Sequence, residues 1–301
     1  MCQFRQVMAV IMPDIFLHTD LKRLLSYKMV VFLGDSNTRA IYKDFVALAE
    51  ENNFVSEIGL KTKMERSFLG DELVFSIRKT NERIYKEERV YKKDCFCFEF
   101  YFITKVYDEY MEYILDNLTK KMPDIVLINS CLWDITRWGP RGVEKYKENL
   151  KVVAKKFRTV LPEDTLVVWL TTLPISQDMR GGVLVPQLEF LKYSLRYHVM
   201  EANRYARNVF VQQELDVLDL HYHLQMHIYL RGPDGIHWLS PAVRHMSNLI
   251  LTHVSLAWGV SLPSRFKRFH NLECVENAAT EEWEKEKKYE LWRTLREFEL
   301  C

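Results

Sequence analysis

The sequence predicts an α/β fold, a parallel sheet with helices on both faces. Three observations carry that expectation. Strand-like and helix-like segments alternate at least four times along the chain, the order that lays parallel strands side by side through right-handed crossovers. The first strand candidate, Met29 to Leu33, is a short, unbroken apolar run, as in strands covered on both faces. No repeat or low-complexity segment interrupts the pattern.

In chain order, residues 1–28 read as a leader ending in a short helix with Leu21, Leu24 and Leu25 on one side. After the strand at Met29 to Leu33 the chain must turn, and Gly34 accepts the positive φ or the crowded backbone that a sharp turn needs. Ile41, Phe45, Leu48 and Ala49 then recur at helical spacing. Residues 52–93 are less regular, and the polar stretch around Thr80-Asn81 suggests a hairpin. Cys95 to Ile103 is a second strand with Glu99 as its one charge, followed by a helix over Asp108 to Lys121. Asp124 to Asn129 is the third strand, and Glu144 to Leu161 a helix stopped by Pro162. Leu166 to Leu170 is the fourth strand, with a loop around Gly181-Gly182 and a helix over Gln187 to Asn208 beyond it. A short fifth strand, Val217 to Leu220, precedes the last core helix, where Ser240 is the N-cap candidate and Pro241 lies in the first turn. The fold domain is thus expected over 1–262. Residues 263–301 form a charged C-terminal helix or tail, with Leu291, Leu295 and Phe298 at helical spacing.

Composition narrows the function classes. Lys plus Arg (42) nearly cancels Asp plus Glu (41), so no nucleic-acid or anionic-membrane partner is called for. The cysteines at 2, 95, 97, 131, 274 and 301 are scattered, and Cys95-x-Cys97 is not zinc-knuckle spacing. Free thiols in a reducing compartment follow. The apolar run Val7 to Met12 is too short for a signal segment or a membrane span, so an intracellular, cytoplasmic protein is expected.

The chemistry concentrates in two loops. Ser36 follows the first strand and opens a helix, where free N–H groups favour an alkoxide or an oxyanion. The plainer reading is that Asp35 or Ser36 merely caps the helix. A nucleophilic serine needs a base and the base an orienting acid, and Asp234-Gly235-Ile236-His237-Trp238 supplies both from one loop. The loops after the first and fifth strands open on the same sheet edge, so Ser36 and His237 can meet. The alternative is a turn at Asp234-Gly235 with an ordinary capping histidine. Cys131 reads as a buried structural thiol, and Lys43-Asp44 as an exposed pair. His221-x-His223-x-x-x-His227 lacks a completing carboxylate or cysteine, so neither a metal nor a cofactor is expected. No metal-binding carboxylate pair and no Arg/Lys clamp is placed for phosphate-ester chemistry.

Gly34-Asp35-Ser36 and Asp234-x-x-His237 resemble the first and last blocks of the GDSL/SGNH hydrolases. Four longer strings resemble the PC-esterase domain-containing proteins within that superfamily: Arg39 to Asp44, Ser67 to Leu73, Asn129 to Asp134 and Asp219 to His223. The resemblance implies a flavodoxin-like three-layer α/β/α fold, here with a parallel five-stranded sheet. It also implies acyl-ester chemistry and kinship with enzymes that add or remove acetyl groups on sugars. By position Ser36 is the nucleophile, His237 the general base and Asp234 its partner. The Ser36 N–H, Gly70 and Asn129 form the oxyanion hole, with Gly59 a rival to Gly70. The usual Gly-x-Asn-Asp block is absent, and Trp133-Asp134 stands where Asn-Asp would align. The expected function is a Ser-His-Asp acyl-ester hydrolase or acyl transferase acting on O-acylated carbohydrate. The alternative is a non-catalytic binding or scaffold protein on the same fold.

Overall fold

The computed structural model describes residues 13–77, 84–139, 141–180, 184 and 186–265. Residues 1–12 of the leader, the Thr80-Asn81 turn, the Gly181-Gly182 loop and the charged segment after residue 265 lie outside the described residues. Phe16–Val260 form one compact unit. Among the other residues described, 13–15 and 261–265, the Asp14 carboxylate accepts the Arg265 N–H at 3.0 Å.

The elements run α1 His18–Leu25, β1 Lys28–Gly34, α2 Ser36–Glu50, α3 Glu57–Lys61, β2 Glu72–Ser76, β3 Glu87–Lys93 and β4 Phe96–Phe102. They continue with α4 Glu109–Lys121, β5 Ile125–Ile128, α5 Leu132–Arg137, α6 Gly142–Val160 and β6 Leu166–Leu170. A 3-10 segment Pro186–Tyr193 leads into α7 Leu195–Gln212, then β7 Asp216–Leu218, α8 Leu220–Leu224 and α9 Ser240–Ala257. The sheet order is β2-β3-β4-β1-β5-β6-β7. The five expected strands are present as the parallel set β4-β1-β5-β6-β7, and their order is the flavodoxin-like one.

The sheet departs from the expected five strands by two. β2 and β3 pair antiparallel with each other, and β3 with β4, so the sheet has seven among the described residues. The reason lies in the suspected hairpin. Glu87, Glu88, Arg89 and Tyr91 are all buried along β3, and a strand whose buried residues are mostly charged carries no apolar alternation to read.

β1 shows why this sheet needs two helical layers. Phe32 meets Tyr42 and Phe45 of α2 edge to face at 5.7 and 5.1 Å between ring centres. Val31 and Leu33, pointing the other way, join a core with Ile114 of α4, Leu150 of α6 and Val199 of α7.

Gly34 ends β1, and the need for glycine there is space rather than φ. A Cβ at Gly34 would lie 2.1 Å from the Thr38 Oγ1, and Thr38 is buried one turn into α2. Gly34→Ala is therefore expected to destabilise the protein by about 2 kcal/mol through overpacking, read from the midpoint of urea unfolding.

Lys43 and Asp44 are a correction: neither is exposed, and both are fully buried. Lys43 Nζ donates to the carbonyls of Gly59 and Thr62, each at 2.7 Å, and meets Glu65 Oε1 at 2.6 Å. Asp44 Oδ2 accepts from Arg244 Nε of α9 at 2.8 Å. These partners come from other elements, which is why the pair read as solvated in isolation. Ser240 is a second correction. It is the first residue of α9 rather than its cap, and its N–H donates to Glu57 Oε1 of α3 at 2.8 Å. No helix among the described residues is long and apolar enough to cross a membrane.

Candidate active site

Ser36 stands at the first position of α2, and the cap is Asp35, whose Oδ1 accepts the Asn37 N–H at 2.9 Å. The Ser36 side chain is thus left for another partner, and its own N–H has no intrahelical acceptor at that position. Burial pushes the Asp35 carboxyl up, against the opposing pull of the Asn37 N–H and His237.

The partner is His237. Ser36 Oγ lies 2.7 Å from His237 Nε2, and His237 Nδ1 lies 2.7 Å from Asp234 Oδ2. The second oxygen of Asp234 accepts the N–H groups of Ile236 and His237, both at 2.9 Å. The hydrogen bond from His237 is the main reason the Asp234 carboxyl is held well below the usual carboxylate range. Asp234 therefore stays ionised, oriented by two backbone donors and one ring nitrogen.

The loop that presents the pair is tightly closed. Arg231 and Trp238 form an antiparallel bridge, and the Gly232 N–H donates to the His237 carbonyl at 2.7 Å. Gly235 sits at φ +79°, and a Cβ there would meet Ser176 Cβ at 2.6 Å. This is a position where only glycine fits on both counts. The segment after β6 braces the loop: the Ser176 N–H donates to the Gly235 carbonyl at 2.8 Å and the Arg180 N–H to the Asp234 carbonyl at 2.9 Å.

The two further oxyanion-hole nominees do not join this group. Asn129 is buried at the end of β5, and its Nδ2 donates to the Leu170 carbonyl at 2.8 Å and to Thr172 Oγ1 at 3.1 Å, which uses both of its amide hydrogens. Gly70 lies at the opposite end of α2, where the nearest neighbour of a Cβ on it would be Glu50 Oε1. Ser36 and Glu50 begin and end that helix, about 20 Å apart along its axis. Gly59 spends its N–H on the α3 cap, Ser56 Oγ, at 3.1 Å. A glycine or asparagine placed by motif analogy occupies the oxyanion position only if the backbone around it takes the same path, and here it does not.

The pocket over Ser36 has a volume of about 310 Å³ and includes Tyr85, Phe102, Leu132, Trp133 and Trp238 among its walls. Trp133 packs edge to face on Phe102, with the Arg137 guanidinium 4.6 Å above its ring. Basic residues line it too, Arg39, Lys61, Lys63 and Arg180 among them. The sequence offered no clamp of this kind, because these residues come from α2, the segment at α3 and the loop after β6.

Asp134, one residue beyond Trp133, is not part of the pocket wall. It is buried, accepts the Val106 N–H at 2.9 Å and the Ser130 hydroxyl, and burial pushes its carboxyl up to about 7. A raised folded-state value means that Asp134 favours the fold in full below about pH 4 and that this contribution is lost as pH rises to about 7. Asp134→Asn is expected to remove that fall, so that the stability of the variant relative to the wild type rises between pH 5 and pH 8 in urea unfolding. Burial likewise pushes the Cys131 thiol up, in keeping with a structural role. His221 Nδ1 lies 2.7 Å from the Thr172 carbonyl, and His227 faces His245. Among the described residues no group of three or more His, Cys, Asp or Glu side chains is arranged to hold a metal ion.

No family model matches the chain. PC-esterase domain-containing protein 1A of Homo sapiens is 42% identical over 256 residues, 83% of this chain and 56% of that protein. PC-esterase domain-containing protein 1B of Homo sapiens is 39% identical over 253 residues, 82% of this chain and 59% of that one. The chain thus spans little more than half the length of these relatives. Among solved structures, the acetylxylan esterase Axe2 of Geobacillus stearothermophilus is similar at a TM-score of 0.45 and 10% identity, covering 79% of this chain and 98% of that one. The lipase/acylhydrolase of Enterococcus faecalis is similar at a TM-score of 0.46 and 12% identity, covering 76% and 96%. With 42% identity extending over 83% of its length, the chain belongs to the family of PC-esterase domain-containing proteins.

Proposed function

We propose that the chain is a serine acyl-ester hydrolase or acyl transferase, with Ser36 as nucleophile, His237 as general base and Asp234 as the acid that orients it. The observation that carries this reading is the continuous hydrogen-bonded line Ser36–His237–Asp234 opening into a pocket. His237 Nε2 takes the Ser36 proton as Oγ attacks the ester carbonyl, and the charged imidazole is stabilised by Asp234. The tetrahedral oxyanion forms beside the Ser36 N–H and the positive end of α2. Collapse passes the proton to the departing alcohol and leaves an acyl-Ser36, which water or a second alcohol releases by the same steps in reverse.

The pocket volume lies at the low end for small-molecule sites, which suits a short acyl group on one sugar ring better than a fatty ester. The aromatic walls at Tyr85, Phe102 and Trp133 suit the apolar face of a sugar. An O-acetylated carbohydrate is therefore the substrate class proposed. The test is labelling of the folded protein by a fluorophosphonate, together with hydrolysis of 4-nitrophenyl acetate. Covalent labelling at Ser36 supports an activated serine, and a folded protein that neither labels nor turns over the ester overturns the reading.

One observation favours a binding or scaffold protein instead. Asn129 and Gly70 supply no donor to the site, and an oxyanion donor is typically worth about a hundredfold or more in rate.

A further inference from the structure

The pocket over Ser36 carries more positive charge than ester hydrolysis requires. Lys61, Lys63, Arg137 and Arg180 stand on its walls with Arg39 below them. The facing carboxylates are already engaged: Asp35 on the start of α2, Glu57 on the Ser240 N–H and Asp234 on His237.

Arg39 is the unusual member. It follows Ser36 by three residues on α2, so the two side chains share one helix face. Its side chain is buried, with Nη1 donating to Glu87 Oε2 at 2.7 Å and the guanidinium 5.8 Å from the Phe102 ring centre. Its Nε is buried with no hydrogen-bond partner among the described residues. A buried guanidinium normally fills its fork of donors, because each unmet one costs free energy. Glu87 and the Tyr85 hydroxyl beside it engage part of the fork but not Nε, and the Glu87 carboxylate is itself shared with Arg89 Nη1 at 3.1 Å and the Tyr85 hydroxyl at 2.6 Å. The fork therefore keeps capacity for an acceptor that the fold does not supply, at the floor of a pocket whose rim is basic.

We propose that this pocket selects esters whose carrier bears a carboxylate, with Arg39 at the floor and Lys61, Lys63 and Arg180 at the rim as the residues that distinguish an acidic O-acylated sugar from a neutral one. This deepens the reading of Ser36 as nucleophile and rests on it for turnover, but not for binding. The carrier carboxylate takes no part in the bond changes. Ser36 Oγ bonds to the acyl carbon as the acyl carbon–sugar oxygen bond breaks, and His237 passes the Ser36 proton to the sugar oxygen; water then adds its oxygen to the acyl carbon, its proton returns to Ser36 through His237 and the acid departs. A guanidinium fits a carboxylate through two parallel N–H donors, which a hydroxyl on a neutral sugar cannot match.

Two measurements separate the parts. Fluorophosphonate labelling of the wild type reads the activated serine alone. Calorimetric binding to Ser36→Ala then compares an O-acetylated methyl glucuronoside with the matching O-acetylated methyl glucoside, independently of turnover. The acidic sugar is expected to bind about tenfold more tightly at low salt, with the preference shrinking as ionic strength rises. In the Ser36→Ala background, Lys61→Ala with Lys63→Ala, on the exposed rim, and separately Arg180→Gln should each lower that preference severalfold. Arg39→Lys should lower it most, and its fold is checked by its unfolding midpoint. Equal binding of the two sugars, or a preference untouched by every one of these replacements, overturns the proposal even where Ser36 labels. Tighter binding of the acidic sugar by a protein that does not label sustains the carboxylate site and overturns the hydrolase reading instead.

Discussion

Ser36→Ala and His237→Ala are each expected to abolish fluorophosphonate labelling and to lower ester turnover by at least about a thousandfold, with the double replacement no worse than either alone. The magnitude follows from the division of labour. Ser36 Oγ and His237 Nε2 are 2.7 Å apart, so attack and proton removal are one event, and losing either partner loses both. Non-additivity is the sharper half of the expectation. Two residues acting on separate steps would multiply their losses, whereas members of one relay share a single loss. Asp234→Asn should also be severe, on the order of a thousandfold or more, because the amide cannot stabilise the imidazolium and can favour the wrong tautomer. Its carboxyl is held far below the usual range, so the acid limb of the pH–rate profile should not come from Asp234 at any pH where the protein is assayed. Turnover in Ser36→Ala within tenfold of wild type would place the nucleophile elsewhere. Far-ultraviolet dichroism and unfolding midpoints of the variants keep misfolding apart from lost chemistry.

Arg89→Met is expected to cost about 3–5 kcal/mol of stability, read by urea unfolding, and is the largest structural effect foreseen. Arg89 is fully buried on β3. It grips Asp71 through Nε at 2.7 Å and Nη2 at 2.9 Å, reaches Glu87 Oε1 through Nη1 at 3.1 Å and donates to the Glu65 carbonyl at 3.1 Å. Asp71 and Glu87 are themselves buried. Methionine fills much of the volume but leaves carboxylates in a dry site without their common cation, and that desolvation sets the loss. The exposed pair Lys93–Glu50, 2.7 Å apart with 52% of the lysine side chain exposed, gives the contrast. Lys93→Met should cost far less than Arg89→Met, since water screens the charge and hydrates the carboxylate left behind. A double-mutant cycle with Asp71→Asn isolates the pair. An Arg89→Met loss as small as that of Lys93→Met would show that water reaches the network. The consequence extends to the pocket, because Glu87 bridges Arg89 to Arg39 below Ser36.

Much of this architecture was legible in the chain. The runs at Met29–Leu33, Cys95–Ile103, Asp124–Asn129 and Leu166–Leu170 all fall on strands of the parallel sheet. Apart from Glu99 and the polar ends of the Asp124–Asn129 run, each is apolar on both faces, which leaves a short segment little alternative to a central strand. Ser36, Asp234 and His237 could be nominated because their signals are local: a glycine turn into a helix, and an acid and a histidine on one short loop. β3 was not legible, because its buried residues are Glu87, Glu88, Arg89 and Tyr91 rather than an apolar stripe. The polar character of Lys43-Asp44 suggested a solvated face, yet Gly59, Thr62, Glu65 and Arg244 bury both. Ser240 looked like a cap, yet Glu57 of another helix engages its N–H.

By itself, then, the sequence determined the strand–helix order, the parallel core and the three residues that meet at the mouth of the sheet, since each depends on spacing and burial within a few residues. Tertiary structure alone decided that Asn129 turns its amide into the sheet, that Gly70 sits at the far end of α2 and that basic side chains from four separate segments surround one pocket. Those outcomes depend on which distant backbone groups and charges come within hydrogen-bonding range, and the free energy of a buried polar group is set by the partner it finds there rather than by its neighbours in the chain.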